Sequence, residues 1–83
     1  MLDDETPRLI GDHLRTFRDA LGLTQIEFAD QIGMDPKRYG RIERGMVNLT
    51  LSSIASVANQ VGMTTVDLVC PHHFAERLKD KSP

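Results

Sequence analysis

Residues 24–43 read TQIEFADQIGMDPKRYGRIE, and this stretch predicts two short helices joined by a tight turn. Thr24 can cap the first helix, and Glu27 three residues later completes a capping box, in which each side chain accepts a hydrogen bond from the other residue's backbone N–H. Gly33 ends that helix, because glycine readily adopts the positive φ that a tight turn requires. The apolar positions of this first helix are Ile26, Phe28, Ala29 and Ile32.

The second helix of the pair begins directly after the turn. Asp35 is a favourable N-cap, and Pro36 is well suited to the first helical position. Met34 and Tyr39 are spaced to form a hydrophobic staple across that cap. We expect the helix to end before Gly45, with Tyr39 in the core because its spacing points inward.

Helical periodicity extends through the rest of the chain, and no stretch alternates for long enough to predict a strand. We expect the first helix to start at Thr6 as N-cap. A short fifth helix is expected to open with a second capping box, formed by Thr64 and Asp67. The apolar residues expected to face inward are Ile10, Leu14, Phe17 and Leu21 in the first helix, and Leu51, Ile54, Ala55, Ala58 and Val61 in the fourth. The sequence therefore predicts an all-α, five-helix bundle forming one domain over residues 1–83, with its core at about 8–78. A short extra helical turn could follow Pro71, and the chain is expected to fray from Lys79.

Length and composition exclude several classes of protein. A chain of 83 residues can form one compact domain. The single cysteine, Cys70, excludes an intramolecular disulfide, and no apolar run approaches the ~20 residues needed to cross a bilayer. The N-terminus lacks the pattern of a secretory signal, so we expect a cytoplasmic protein. No nucleophile, base and orienting group occur together, so we expect no enzyme activity, and we expect no cofactor and no small-molecule effector.

The net charge of −2 conceals a local basic excess. Residues 1–30 contain seven acidic and three basic residues, residues 31–45 contain two and four, and residues 46–83 contain three of each. The four bases of the middle segment are Lys37, Arg38, Arg41 and Arg44. Such a cluster is usually a solvated helix face, but on the second helix of a helix-turn-helix it lies where a DNA groove would lie. Arginine and lysine there can donate to the O6 and N7 atoms of guanine.

The sequence resembles the Cro and phage-repressor type of helix-turn-helix proteins, the XRE family. The resemblance rests on LGLTQIEFADQIG at 21–33, YGRIERG at 39–45 and the segment 51–62, and covers roughly residues 9–69. It implies phosphate contacts by Gln25, Arg44 and Asn48, and base contacts by Lys37, Arg38 and Arg41. It also implies a structural ion pair between Arg18 and Glu43.

Within that family, the segment RGMVNLTL at 44–51 is most similar to the small controller proteins of restriction-modification systems and to mobile-element regulators. The resemblance implies a transcription regulator, repressing, activating or both, that controls its own gene. One short recognition helix buries too little surface for tight binding, so we expect a homodimer on an inverted repeat of double-stranded DNA. The residues expected at the dimer interface are Val66, Val69, Phe74 and Leu78.

One alternative function stays open at this point. Low net basicity and Gly40, which weakens the middle of the recognition helix by about 1 kcal/mol, favour a protein-interaction module such as an antitoxin or antiactivator. Cys70, His72 and His73 lie close in sequence, but without a fourth ligand they fit zinc geometry poorly, so we expect no metal site. His13 is isolated and is expected to face solvent.

Overall fold

The computed structural model describes residues 5–81, with side chains to residue 79, and all of its regular structure is helical. The six helices are α1 (Glu5–Ala20), α2 (Gln25–Gln31), α3 (Pro36–Glu43), α4 (Leu51–Gln60), α5 (Thr65–Val69) and α6 (Pro71–Lys81). The all-α prediction is confirmed, but the count of five was too low. The extra turn expected after Pro71 is an 11-residue helix that continues through Lys81, past the expected point of fraying. Ser82 and Pro83 lie outside the described residues, and no described helix is long and apolar enough to span a membrane.

The helix caps explain why α2 to α5 begin where they do. The Thr24 hydroxyl accepts from the Glu27 N–H at 3.1 Å, and the Glu27 carboxylate accepts from the Thr24 N–H at 2.9 Å. The same reciprocal pair joins Thr64 and Asp67 at the start of α5. Both predicted capping boxes are therefore present.

The first helix starts earlier than the sequence predicted. Glu5 is already helical, so Thr6 lies inside the first turn instead of capping it. Pro7 is tolerated there because the first N–H groups of a helix have no partner within it. Residues 1–4 lie outside the described part of the chain.

The core is centred on an edge-to-face series of three aromatic rings. Phe28 packs between Phe17, at a centroid distance of 6.1 Å, and Tyr39, at 5.3 Å. The three rings come from α1, α2 and α3, so they fix these helices against one another. Tyr39 is fully buried, in agreement with its predicted place in the core.

Three residues predicted to face inward are exposed, and so is the apolar Ile26 of α2. Leu21 lies beyond the end of α1, where the helical periodicity no longer applies. Ile26 points away from Phe28 because residues two apart lie on opposite sides of a helix, and it is 68% exposed. On α4 the buried stripe is Ile54, Val57, Ala58 and Val61, which leaves Leu51 and Ala55 on the solvent side.

Helix α6 packs against α1 and α5 through residues whose roles were predicted wrongly. His13 is buried rather than solvent-facing: its Nδ1 donates to the Leu68 carbonyl oxygen at 2.6 Å. Phe74 is only 5% exposed, so it belongs to the core of a single chain and is not available for a dimer interface. Among the other residues predicted at the dimer interface, Val66 is 51% exposed. Val69 and Leu78 are half-buried against the core.

Candidate nucleic-acid interface

The start of α3 is fixed by local sequence. The Asp35 carboxylate accepts from the Arg38 N–H at 3.1 Å, and Pro36 occupies the first turn. Gly33, with φ of 71°, allows the tight turn between α2 and α3. The N-terminal turn of α3 is therefore defined by hydrogen bonds and backbone geometry, independently of any ligand.

Helix α3 has one face in the core and one in solvent. Tyr39, Ile42 and Glu43 are buried, and the cationic residues of α3 and its C-cap lie exposed on the other side. These residues are Lys37, Arg38, Arg41 and Arg44. We call them the basic face of α3. Within residues 5–79, none of their side chains takes part in an ion pair.

A buried ion pair joins α1 to the end of α3. Arg18 Nε lies 2.9 Å from Glu43 Oε2, and Arg18 Nη2 lies 3.0 Å from Glu43 Oε1, so the pair is bidentate. Arg18 Nη1 also donates to the Leu23 carbonyl oxygen at 2.7 Å. Burial would raise the pKa of Glu43, but the hydrogen bonds it accepts outweigh burial and lower the pKa. Both groups are therefore charged in the folded protein, and the pair, largely shielded from solvent, holds the end of α3 against α1.

Gln25 belongs to the same network. Its Nε2 donates to Glu43 Oε1 at 2.9 Å, which links the first residue of α2 to α3. One amide hydrogen of Gln25 is thus committed inside the protein and one remains. The predicted phosphate contact by Gln25 stays a prediction, and it would have to use the second hydrogen.

Gly40 lies beneath the side chains of Gln25 and Arg44. A Cβ at residue 40 would lie 3.3 Å from Gln25 Oε1 and 3.2 Å from Arg44 Nη1, closer than most van der Waals contacts. The glycine therefore gives these two side chains room to lie against the α3 backbone. From the sequence alone, Gly40 is expected only to weaken the middle of the helix. The contact with Gln25 could not be predicted from a local pattern, because Gln25 lies fifteen positions earlier in the chain.

The remaining predicted site residues are more dispersed. Asn48 is exposed in the α3–α4 connection. Cys70 is half-buried, whereas His72 and His73 are exposed with their ring centroids 6.0 Å apart. In the part of the chain that the structure describes, no three metal-binding side chains come together.

Comparison with known proteins places this geometry in a family. A family model described as helix-turn-helix matches residues 14–68. A hypothetical transcription factor of Neisseria meningitidis is 36% identical over 67 residues, which make up 81% of this chain but only 61% of that protein. An uncharacterised HTH-type transcriptional regulator of Sinorhizobium fredii, y4dJ, is 31% identical over 64 residues, covering 77% of this chain and 83% of the relative.

A solved structure has a similar overall fold. The crystal structure of the hypothetical transcription factor NHTF from Neisseria superposes with a TM-score of 0.68 and 31% identity, covering 95% of this chain and 90% of that one. The family match spans more than half of the chain and contains the α2–turn–α3 unit. This chain belongs to the helix-turn-helix family of non-enzymatic transcription regulators.

Proposed function

We propose that this protein binds DNA in a sequence-specific manner, with α3 in the major groove. The observation that carries the proposal is the basic face of α3, whose four cationic side chains are exposed and lack ion pairs among the described residues. Unpaired cations on a rigid helix are ready to replace the counterions of a phosphate backbone and to donate to base edges. The core aromatic rings and the Arg18–Glu43 pair on the opposite side support the rigidity.

The contacts divide into two kinds. Lys37, Arg38 and Arg41 are assigned to base edges, since they occupy the first turns and the middle of α3. Arg44, Gln25 and Asn48 are assigned to phosphates at the borders of the groove. Phosphate contacts position the protein on the duplex, and base contacts choose the sequence.

The DNA-bound form is a homodimer on an inverted repeat. A single recognition helix of eight residues contacts too few bases for tight binding, and two symmetric copies double the contact. Half-sites would lie about 34 Å apart, one turn of the double helix. The exposed Val66, with Val69 and Leu78 beside it, is the proposed centre of the dimer interface.

The resemblance to controller proteins implies that this regulator controls its own gene, by repression, activation or both. Such a regulator acts on double-stranded DNA inside the cell and would therefore work in the cytoplasm. Its occupancy of the operator would depend on protein concentration, because dimerisation and DNA binding both follow mass action.

A second candidate function is supported by one observation. The chain carries a net charge of −2, so its basic excess is local, in the segment that contains the basic face of α3. A protein with so little net basicity also suits a protein partner, so an antitoxin or antiactivator of the same fold is the alternative.

One experiment separates the two functions. Sequences that bind the protein are selected from a random pool of duplex DNA, and the affinity of the selected DNA is then measured at several salt concentrations. Enrichment of a palindrome, with an affinity that falls steeply as salt rises, supports DNA regulation. An absence of enrichment at low salt would reject DNA regulation and leave the protein-interaction module.

A further inference from the structure

A second cationic surface lies beside the basic face of α3. It is a cleft of about 500 Å³ between α1 and the C-terminal end of α3. The residues that line it are Arg8, Asp12, Arg15, Glu43, Arg44 and Met46. We call it the α1–α3 cleft.

Two glycines let α1 and the end of α3 approach closely beside the α1–α3 cleft. A Cβ at Gly11 would collide with the backbone carbonyl oxygen of Glu43, so α1 rests directly on the last turn of α3. A Cβ at Gly45 would lie 3.1 Å from the Arg8 Cα and 3.0 Å from its Cγ. The aliphatic part of Arg8 is therefore held against the end of α3, and its backbone position is fixed.

The charges in the cleft do not cancel. Among the described residues, the guanidinium groups of Arg8 and Arg44 make no ion pair or hydrogen bond. Glu43 is already paired with Arg18. Arg15 Nη2 lies 3.2 Å from Asp12 Oδ1, but these side chains are 57% and 65% exposed, and an ion pair so exposed is weak and exchanges readily.

Arg44 connects the cleft to the basic face of α3. It follows Lys37 and Arg41 along the same side of that helix, and it also lines the cleft. A duplex that receives α3 in its major groove must carry its sugar–phosphate backbone past the end of α3. The α1 surface with Arg8 and Arg15 adjoins that end.

We propose that the α1–α3 cleft binds the phosphate backbone of DNA next to the bases that α3 reads, through Arg8 and Arg15 together with Arg44. The proposal rests on the proposed DNA-binding function and adds α1 to the contact surface. Asp12 opposes the contact by competing with phosphate for Arg15, so it limits affinity. The apolar Met46, 65% exposed at the edge of the cleft, suits a deoxyribose.

The test combines variants of Arg8 with uncharged phosphates in the DNA. The probe is the selected duplex carrying a single methylphosphonate at successive backbone positions, and affinity is measured for wild type and Arg8→Gln. Glutamine keeps the aliphatic stem that packs on Gly45, so folding is preserved, and a thermal melt checks this. We expect Arg8→Gln to weaken binding several-fold and to reduce the salt slope of log K by about one.

The decisive result is that the effects of Arg8→Gln and of one methylphosphonate on affinity do not add. At one backbone position the methylphosphonate should weaken wild type several-fold and leave Arg8→Gln unchanged, whereas Arg8→Lys should behave as wild type. Asp12→Asn should tighten binding several-fold. Lys79→Gln is the matched control, because it removes one exposed cation on α6, away from the cleft, and should leave every affinity nearly unchanged.

Two results would overturn the proposal while leaving DNA binding intact. One is an Arg8→Gln variant that binds as wild type while Arg41→Ala weakens binding. The other is an equal loss of affinity in Arg8→Gln and Lys79→Gln, with no methylphosphonate position at which the effect of Arg8→Gln disappears. That result would mean that the loss comes from the change in net charge. If wild type selects no DNA, the proposed function itself fails.

Discussion

The imidazole of His13 stacks on the ring of Phe74, with centroids 4.1 Å apart and an interplanar angle of 6°. Because His13 also donates to the Leu68 carbonyl oxygen, one side chain of α1 contacts both α5 and α6. Helix α6 lies beyond the region matched by the family model, which ends at residue 68, yet it completes the core of this chain.

The first prediction concerns that stack. Replacing Phe74 by alanine removes a buried ring and should lower the free energy of unfolding by about 3–5 kcal/mol, a large fraction of the stability of a small domain. Urea denaturation followed by circular dichroism measures the change. A Phe74→Ala variant that keeps its stability and changes only the oligomeric state would place Phe74 at the dimer interface instead.

The second prediction concerns acid unfolding. The folded protein lowers the pKa of Glu43 below its ordinary value of 4.5, so the Arg18–Glu43 pair stabilises the fold fully above that pH. Stability should fall as the pH drops from about 4.5 through the lower folded value, because the unfolded chain takes up the proton first. Glu43→Gln should be less stable at neutral pH and show a shallower decline in acid, measured by urea denaturation across pH. Glu76→Gln, on an exposed carboxylate, is the control and should retain the wild-type pH dependence.

The third prediction gives Gly40→Ala opposite effects on folding and binding. Alanine favours the helix by up to about 1 kcal/mol over glycine. Its Cβ would also push against Gln25 Oε1 and Arg44 Nη1, which are the flexible ends of long side chains and can move away. We expect a higher melting temperature together with weaker DNA binding. If Gly40→Ala raises both the melting temperature and the affinity for DNA, the positions of the Gln25 and Arg44 side chains against α3 have no role in binding.

The fourth prediction tests base reading by Arg41. Arg41→Ala should lose about 1–3 kcal/mol of discrimination at one base pair in each half-site, with little change elsewhere. Binding assays on a panel of single-base operator variants measure this. Equal weakening on every operator would instead make Arg41 a phosphate contact.

The fifth prediction concerns the proposed dimer interface. Val66 is 51% exposed beside two half-buried apolar residues, and a glutamate there would place two like charges across a symmetric contact. Sedimentation should show that Val66→Glu shifts the protein toward monomer. Ile26→Glu introduces the same charge at an exposed apolar position on α2 and should leave the oligomeric state unchanged. If both variants dissociate equally, the effect is one of charge and not of the interface.

Local signals made much of the fold predictable. Thr24 with Glu27 and Thr64 with Asp67 define helix starts within four residues, and the structure has both boxes. The positive φ of Gly33 follows in the same way from a turn of few residues. These features need no knowledge of what packs against them.

The errors arose where distant parts of the chain meet. His13 was expected in solvent because its partners, Leu68 and Phe74, lie more than fifty positions away. The exposure of Ile26 could not be predicted, because a seven-residue helix is too short for its periodicity to identify the buried side. Two of the cleft arginines do have a sequence signal: Arg8 and Arg15 are seven positions apart, about two helical turns, and so lie on one side of α1.

The contact of Gly11 with the end of α3 makes the position of α3 independent of which residues occupy its solvent-facing side. Because backbone atoms, and not side chains, set the spacing of α1 and α3 there, substitutions on the solvent side of α3 leave the position of the helix unchanged. The outward residues can then vary over evolutionary time while the scaffold presents them at one fixed depth and angle. A new DNA preference could therefore arise from substitutions on the basic face alone, without any compensating change in the core.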